Sequence, residues 1–235
     1  MGTFAQKTAD EHGLTREGMD AFAIESLTRA QRAIDDGLNQ KEIAPVTIRT
    51  RRGEHTVSID EQPHKANLEK IPQLRPAFAE NGTITPANSS SISDGASALL
   101  LASEQAVETH GLTARARIVA HSRNSLAPEA FTLAPIGAAE DVLAKAGWTV
   151  SDVDLWEINE AFAMVTMLTM DALKLDPSCV NVHGGACAQG HPIGSTGSRI
   201  IVTLMHALEH YGKKRGVAAL CIGGGEATAV AIELV

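Results

Sequence analysis

After Thr85 the sequence alternates short apolar runs with longer segments of helical periodicity, and this alternation limits the possible fold more than any other feature. The pattern predicts strands at residues 116–121, 153–158, 217–222 and 228–234, and helices at 94–111, 135–147, 160–173 and 195–211. Three glycines join the last two apolar runs, which is typical of an antiparallel hairpin. Strands that alternate with helices imply an α/β fold whose sheet is covered on both faces.

The first 78 residues follow a different pattern. Two helices are expected, with Gly13 ending the first, Thr15 capping the second and Gly37 ending it. Residues 41–78 then contain only short β-like pieces at 45–48 and 55–59, which prolines and charges interrupt. This part of the chain is therefore predicted to be a loop-rich subdomain.

Composition and charge exclude several classes of protein. The formal net charge of −8 disfavours nucleic acid as a partner, because phosphate binding needs a basic surface. No apolar run approaches the roughly 18 residues that span a bilayer, and no signal peptide is recognisable, so we expect a cytoplasmic protein without a membrane partner. The three cysteines cannot all pair within one chain, which favours free thiols.

Three segments rich in glycine or polar residues follow predicted strands. They are residues 159–163 (NEAFA), the glycine-rich residues 181–197, and residues 221–225 (CIGGG). In open α/β sheets, ligands bind beyond the carboxyl ends of the strands. We therefore expect a functional site where these segments converge.

The spacing within the middle segment also raises the possibility of a metal site. Cysteine and histidine recur at every fourth residue: Cys179, His183, Cys187 and His191. On a helix this spacing would place four zinc ligands on one face. However, Gly184, Gly190 and Pro192 favour an irregular loop over a helix, so no metal is predicted.

Each segment offers one candidate residue with two interpretations. His191 is either a proton-transfer group or a packed structural histidine. Cys221 is either a thiol placed beside backbone N–H groups or a small buried hydrophobe. Asn159 either holds a water or carbonyl group or caps the following helix. Because three different polar groups are predicted at one end of one sheet, their convergence favours a site.

The three segments together resemble the thiolase family in sequence, order and spacing. They are NEAFA at 159–163, GGACAQGHPIGSTG at 184–197 and CIGGG at 221–225. The resemblance extends through LRPAF at 74–78, TITPANSSSISDG at 83–95 and residues 1–23, and so covers essentially the whole chain. It implies a layered thiolase-like α/β fold with part of the N-terminal half and a complete C-terminal half. The implied division is a loop subdomain at 1–78, the rest of the N-terminal domain at 79–120 and the C-terminal domain at 121–235.

The resemblance also implies acetyl-CoA acetyltransferase chemistry, the condensation of two acetyl-CoA molecules to acetoacetyl-CoA and its thiolytic reverse. His191 would activate a nucleophilic cysteine and, with a water held by Asn159, form an oxyanion hole. Cys221 would be the acid and base at the α-carbon, and the N–H of Gly223 would belong to a second oxyanion hole. Claisen chemistry needs such groups, because an enolate must be stabilised as it forms.

Coenzyme A thioesters would be substrates, with no separate cofactor, and the family forms homo-oligomers, either dimers or tetramers. The residues implied in coenzyme A binding are Arg51 at the nucleotide end and Ala77, Phe78, Ser90 and Phe162 along the pantetheine. Ser91 stands where many family members have glycine.

The sequence departs from the family at its start. Met1-Gly2 corresponds to an internal part of the loop subdomain, so the 235 residues do not include the family's nucleophilic cysteine, and neither Cys179 nor Cys187 replaces it. Without a nucleophile no acyl-enzyme forms, so we expect little activity from this chain alone, together with an open sheet edge and exposed apolar faces. Two alternatives remain, a 3-ketoacyl-CoA thiolase of fatty-acid degradation and a non-catalytic CoA-binding fragment.

Overall fold

The computed structural model describes residues 1–235, which form eight helices and six strands. The helices are α1 (Gly2–Glu11), α2 (Arg16–Asp35), α3 (Gln62–Lys65), α4 (Glu104–His110), α5 (Ala134–Ala146), α6 (Ala163–Leu173), α7 (Ala186–Gln189) and α8 (Thr196–His210). The strands are β1 (Val46–Thr50), β2 (Gly53–Val57), β3 (Ala116–Ser125), β4 (Leu155–Ile158), β5 (Arg215–Cys221) and β6 (Glu226–Leu234). None of the helices combines the length and apolar character needed to cross a bilayer.

The main sheet has the strand order β3-β6-β5-β4. β6 is antiparallel to both β3 and β5, which confirms the predicted hairpin, and β4 is parallel to β5. β1 and β2 form a separate antiparallel ribbon in the loop-rich region. Because β4 and β5 run in the same direction, the residues that follow both strands lie at one end of the sheet.

Helices cover both faces of the central strands, as predicted. Side chains alternate between the two faces of a strand, so Val217 and Ala219 in β5 join a cluster with Val142 of α5. Ala218 between them packs with Leu204 of α8 on the other face. Alanines are frequent in the cluster with α5, which lets that helix approach the sheet closely, whereas leucines and isoleucines dominate the cluster with α8.

The longest helix, α2, begins and ends as the sequence predicts. The Thr15 hydroxyl accepts a hydrogen bond from the Gly18 N–H at 3.1 Å and so caps the helix. Its apolar stripe is buried, and Leu27 packs with Ala188 of α7. Gly37, with φ of +69°, lies just beyond the last turn. This packing places one face of α2 beside the glycine-rich loop.

The helix predicted at residues 94–111 is wrong for its first half. Only Glu104–His110 is helical, with Ser103 as its N-cap, and residues 94–103 have neither helix nor strand. Leu100 and Leu101 are 87% and 71% exposed and pack against no core. A short helix gains most of its stability from burial of an apolar face, so this segment lacks what would hold it helical. The exposed leucines agree with the expectation of exposed apolar faces.

Candidate active site

Asn159 follows β4 at the end of the sheet. Its N–H donates to the Ala219 carbonyl oxygen at 2.9 Å, which continues the β4–β5 pairing by one residue. The residue is 1% exposed, and neither Oδ1 nor Nδ2 has a partner within the protein. α6 begins four residues later with Phe162 at its N-cap position, so Asn159 does not cap that helix. A buried amide normally has hydrogen-bond partners, so this one is available to a water or a ligand carbonyl.

Cys221 is the last residue of β5, the strand next to β4. The residue is 6% exposed, and this burial raises the pKa of its thiol to about 12. The thiol is therefore protonated at neutral pH. Two residues further on, the Gly223 N–H lies in the exposed turn after β5 and donates no hydrogen bond within the protein. The protonated thiol of Cys221 and the free N–H of Gly223 thus lie at the same end of the sheet.

His191 enters the site from the loop between α7 and α8. Its Nδ1 lies 2.6 Å from the Thr196 Oγ1, and this hydroxyl donates its own hydrogen to the Pro192 carbonyl oxygen at 2.9 Å. Thr196 can therefore only accept from the imidazole, which assigns the proton to Nδ1 and leaves a lone pair on Nε2. Burial, and then the positive charge of Arg199, lower the pKa of His191, so the ring is neutral at neutral pH. A neutral imidazole with a free Nε2 is arranged to accept a proton.

Residues 88–92 connect these loops. The N–H and Oγ of Ser90 both lie 3.1 Å from the Ala161 carbonyl oxygen, two residues after Asn159. The His191 N–H donates to the Ser91 carbonyl oxygen at 3.0 Å. Cys187, from the glycine-rich loop, packs against the buried cluster that contains Cys221. The structure therefore brings the three predicted segments to one end of the sheet.

Four of the five residues implied in coenzyme A binding lie along one path of contacts. The rings of Phe78 and Phe162 meet edge to face, with centroids 6.2 Å apart. Ala77 precedes Phe78 and is exposed, and Ser90 bonds the carbonyl group next to Phe162. Arg51 lies in the exposed turn between β1 and β2 and forms no ion pair. No hydrogen bond or ion pair links Arg51 with the other four.

The cysteine and histidine repeat does not form one helix face. Cys179 ends a three-residue 3-10 helix, Cys187 lies in the four-residue α7, and His183 and His191 lie in neither, which confirms the predicted irregular loop. His183 is 2% exposed, neither ring nitrogen has a partner, and its ring packs 5.7 Å from that of Tyr211. Burial, followed by His210 and His206, lowers its pKa to about 4. His183 and His191 therefore occupy separate environments.

Sequence reasoning missed two residues of the site. Thr196 orients His191. The sequence feature that could have identified it is a hydroxyl five residues after the histidine, in the first turn of α8. Glu160 accepts hydrogen bonds from Ser26, Asn181 and the Cys187 N–H. Its signal was a carboxylate next to Asn159 in a largely apolar run that also contains Glu157.

Family comparison agrees with this geometry. The profile described as "Thiolase, N-terminal domain" matches residues 1–105, and that described as "Thiolase, C-terminal domain" matches residues 112–234. The chain therefore belongs to the thiolase family. The finer division at residues 78 and 120 remains a prediction.

Similar proteins cover the chain from end to end. An acetyl-CoA acetyltransferase of Yarrowia lipolytica is 47% identical over 100% of this chain and 59% of its own length. A cytosolic acetyl-CoA acetyltransferase of Mus musculus is 45% identical over 99% of this chain and 59% of its own length. A mitochondrial 3-ketoacyl-CoA thiolase of Bos taurus is 42% identical over 99% of this chain and 59% of its own length. The chain thus spans about three fifths of the length of these relatives.

Solved structures show the same relation. The crystal structure of a Bacillus anthracis acetyl-CoA acetyltransferase superposes with a TM-score of 0.96 at 40% identity, over 100% of this chain and 60% of that one. The Acat5 thiolase of Ascaris suum, solved in complex with coenzyme A, gives a TM-score of 0.92 at 42% identity, over 100% of this chain and 60% of that one. The thiolase fold predicted from the motifs is confirmed.

Proposed function

We propose that the chain provides the second part of a thiolase active site, for the condensation of two acetyl-CoA molecules to acetoacetyl-CoA and its thiolytic reverse. The observation that carries the proposal is the buried, unpartnered amide of Asn159 at the end of the sheet where Cys221 also lies. The Gly223 N–H and the free Nε2 of His191 complete the set of groups. In this proposal the nucleophilic cysteine comes from the part of the relatives' length that the 235 residues do not match.

In the first step of the proposed reaction, the Nε2 of His191 accepts the proton of the nucleophilic thiol. The thiolate attacks the thioester carbonyl of acetyl-CoA, the bond to coenzyme A breaks, and coenzyme A leaves as a thiol after it takes the proton of Cys221, which becomes a thiolate. During the attack, before coenzyme A leaves, the new Nε2–H and a water held by Asn159 donate to the carbonyl oxygen as it gains negative charge. Fixed donors of this kind stabilise the transition state.

In the second step, the Cys221 thiolate formed in the first step removes the α-proton of a second acetyl-CoA. The high pKa of its buried thiol makes the thiolate a strong base once it forms, and makes the thiol the resting state. The Gly223 N–H belongs to the second oxyanion hole, where it donates to a substrate oxygen as that oxygen gains negative charge. The enolate carbon attacks the acyl-enzyme, the acyl–sulfur bond breaks, and acetoacetyl-CoA leaves. The released nucleophilic thiolate takes its proton back from the Nε2 of His191. In the reverse direction Cys221 returns its proton to the enolate carbon.

We further propose that Phe78, Phe162, Ala77 and Ser90 line the pantetheine path and that Arg51 contacts the nucleotide end. Coenzyme A thioesters are then the substrates, without a separate cofactor. The cytosolic name of the mouse relative supports a cytoplasmic location. A homo-oligomer, a dimer or tetramer as in the family, completes the proposal.

Longer 3-ketoacyl-CoA substrates form a second candidate, which the relative from Bos taurus supports. The two candidates differ in chain-length preference. Thiolysis of acetoacetyl-CoA and of a longer 3-ketoacyl-CoA by the same assembled enzyme would separate them, because the acetyltransferase reading requires a clear preference for the four-carbon substrate.

Complementation tests the proposed function directly. The 235-residue chain is assayed for loss of the acetoacetyl-CoA enolate absorbance, alone and after co-expression with the remaining N-terminal part of the Yarrowia relative. We expect turnover only in the combined sample, and we expect Cys221→Ala to abolish it. Turnover by the chain alone would contradict the need for an added nucleophile. Affinity for coenzyme A without turnover in the combined sample would favour the non-catalytic CoA-binding fragment.

A further inference from the structure

Glu160 follows Asn159 directly, yet its carboxylate is held by other parts of the chain. The residue is 1% exposed. Its Oε1 accepts from the Asn181 Nδ2 at 2.8 Å, and its Oε2 accepts from the Ser26 Oγ at 2.7 Å and from the Cys187 N–H at 3.1 Å. No lysine, arginine or histidine lies within ion-pair distance. Hydrogen-bond donors alone therefore hold this buried carboxylate.

The partners of Glu160 belong to separate elements. The Ser26 hydroxyl, from α2, also accepts the Gly185 N–H at 2.9 Å. The Asn181 side chain bonds the backbone of Ile158 in both directions, accepting its N–H at 2.8 Å and donating to its carbonyl oxygen at 2.9 Å. The network thus runs from the last residue of β4, through Glu160, to the start of the glycine-rich loop.

The loop approaches this network too closely for side chains. A Cβ atom added to Gly185 would overlap the Glu160 carboxylate, and one added to Gly184 would overlap the Ser26 carbonyl oxygen. Gly184 also has a φ of +77°, which other residues rarely adopt. The two glycines therefore let the loop backbone lie against the carboxylate, six residues before His191.

We propose that Glu160 is a positioning residue that ties the loop carrying His191 to the end of β4 carrying Asn159. It touches no reacting atom. Its carboxylate fixes the Cys187 N–H directly and the Gly185 N–H through Ser26, and so sets where the loop lies against α2. The consequence for turnover rests on the proposed function, whereas the effect on the loop does not.

Amide hydrogen exchange of the full chain tests the proposal without an activity assay. In Glu160→Gln one accepting oxygen becomes an NH2 group, so at least one of the three donors loses its acceptor. We expect the amides of Gly185, Cys187 and His191 to exchange at least about tenfold faster, since a lost buried hydrogen bond changes a local opening equilibrium by that order. Amides of β5 should exchange at the wild-type rate.

Two serine variants separate positioning from general loss of stability. Ser26→Ala removes the link to Gly185 but leaves the carboxylate, and should also accelerate exchange at His191. Ser122 is a buried serine elsewhere, 4% exposed, whose Oγ donates to the Ala138 carbonyl oxygen at 2.6 Å. Ser122→Ala should lower global stability without selective acceleration at His191.

Each outcome has a defined meaning. If Glu160→Gln folds poorly, Ser26→Ala decides alone. Unchanged exchange at His191 in the variants that fold, or equal acceleration in Ser122→Ala, would overturn the positioning role. In the complemented enzyme we expect Glu160→Gln to lower kcat more than it raises KM. If complementation yields no wild-type activity, the proposed function fails while the exchange result still tests the role of Glu160.

Discussion

Two regions around the end of β4 hold a buried carboxyl group in opposite ways. Glu160 is surrounded by three donors. Glu157, three residues earlier, is 2% exposed, and its Oε1 has no partner. Burial raises the pKa of Glu157 from 4.5 to about 8, although Arg199 opposes this rise. Burial also raises the pKa of Glu160, against the hydrogen bonds from Asn181, Ser26 and Cys187. Burial is thus the largest influence on the pKa of both groups, and the three donors to Glu160 are what distinguish it from Glu157.

The largest expected effect is the pH dependence that Glu157 confers. Its pKa is raised in the folded state, so the folded protein holds a proton that the unfolded chain releases. Its contribution to stability is fully present below pH 4.5 and is lost as pH rises through 8, by up to about 5 kcal/mol. Glu157→Gln should therefore unfold at higher denaturant at pH 8.5 than the wild type, with a smaller difference at pH 5. Glu108→Gln, on the exposed side of α4, is the control and should leave denaturant unfolding unchanged at both pH values.

His183 gives the stability of the protein the opposite dependence on pH. Its pKa is lowered to about 4 in the folded state, so the unfolded chain binds the proton first. The stability that neutral His183 contributes is present above its ordinary pKa of 6.5 and is lost as pH falls through 4, by about 3 kcal/mol. His183→Gln should remove this acid slope in denaturation curves measured at several pH values. The exposed His12, changed in the same way, should leave the slope intact, and an equal effect would contradict the assignment to His183.

A smaller effect is expected from crowding the Glu160 carboxylate. Gly185→Ala places a methyl group against it and should destabilise the protein by about 1 to 3 kcal/mol. Gly197, in the first turn of α8, has open space where its Cβ would lie. Gly197→Ala should be neutral or stabilising by about 0.5 to 1 kcal/mol, because alanine favours helices. Thermal unfolding of both variants measures the difference, and equal destabilisation would argue against a close approach at Gly185.

Burial of an apolar face separates the elements that the sequence could predict from those that it could not. The strands of the main sheet and helices α5 and α8 were predictable because their apolar patterns match the faces that they bury. The helix expected from residue 94 was wrong because periodicity indicates an apolar face but not whether a surface exists to bury it. Leu100 shows the result, since it is 87% exposed.

The site shows a similar division. Motif order located Asn159, His191 and Cys221, but only the structure removes the interpretation of Asn159 as a helix cap. The role of Glu160 depends on Ser26, which is 134 residues away in sequence. Local patterns contain no information about such a contact, so an acid within an apolar run marks a residue of interest without naming its partners.

The two histidines extend the comparison to the smallest expected effect. His191 has a fixed partner in Thr196, whereas His183 has none. Thr196→Val keeps the shape of the side chain but removes the acceptor of the Nδ1 proton, at a cost of about 1 kcal/mol in stability. We expect the His191 imidazole to lose its preference for the Nδ1–H tautomer, which nitrogen chemical shifts report directly. Thr196→Ser retains the hydroxyl and should retain the tautomer. An unchanged tautomer in Thr196→Val would mean that the hydroxyl does not orient the proton-accepting nitrogen, and His191 would then be held by its backbone alone.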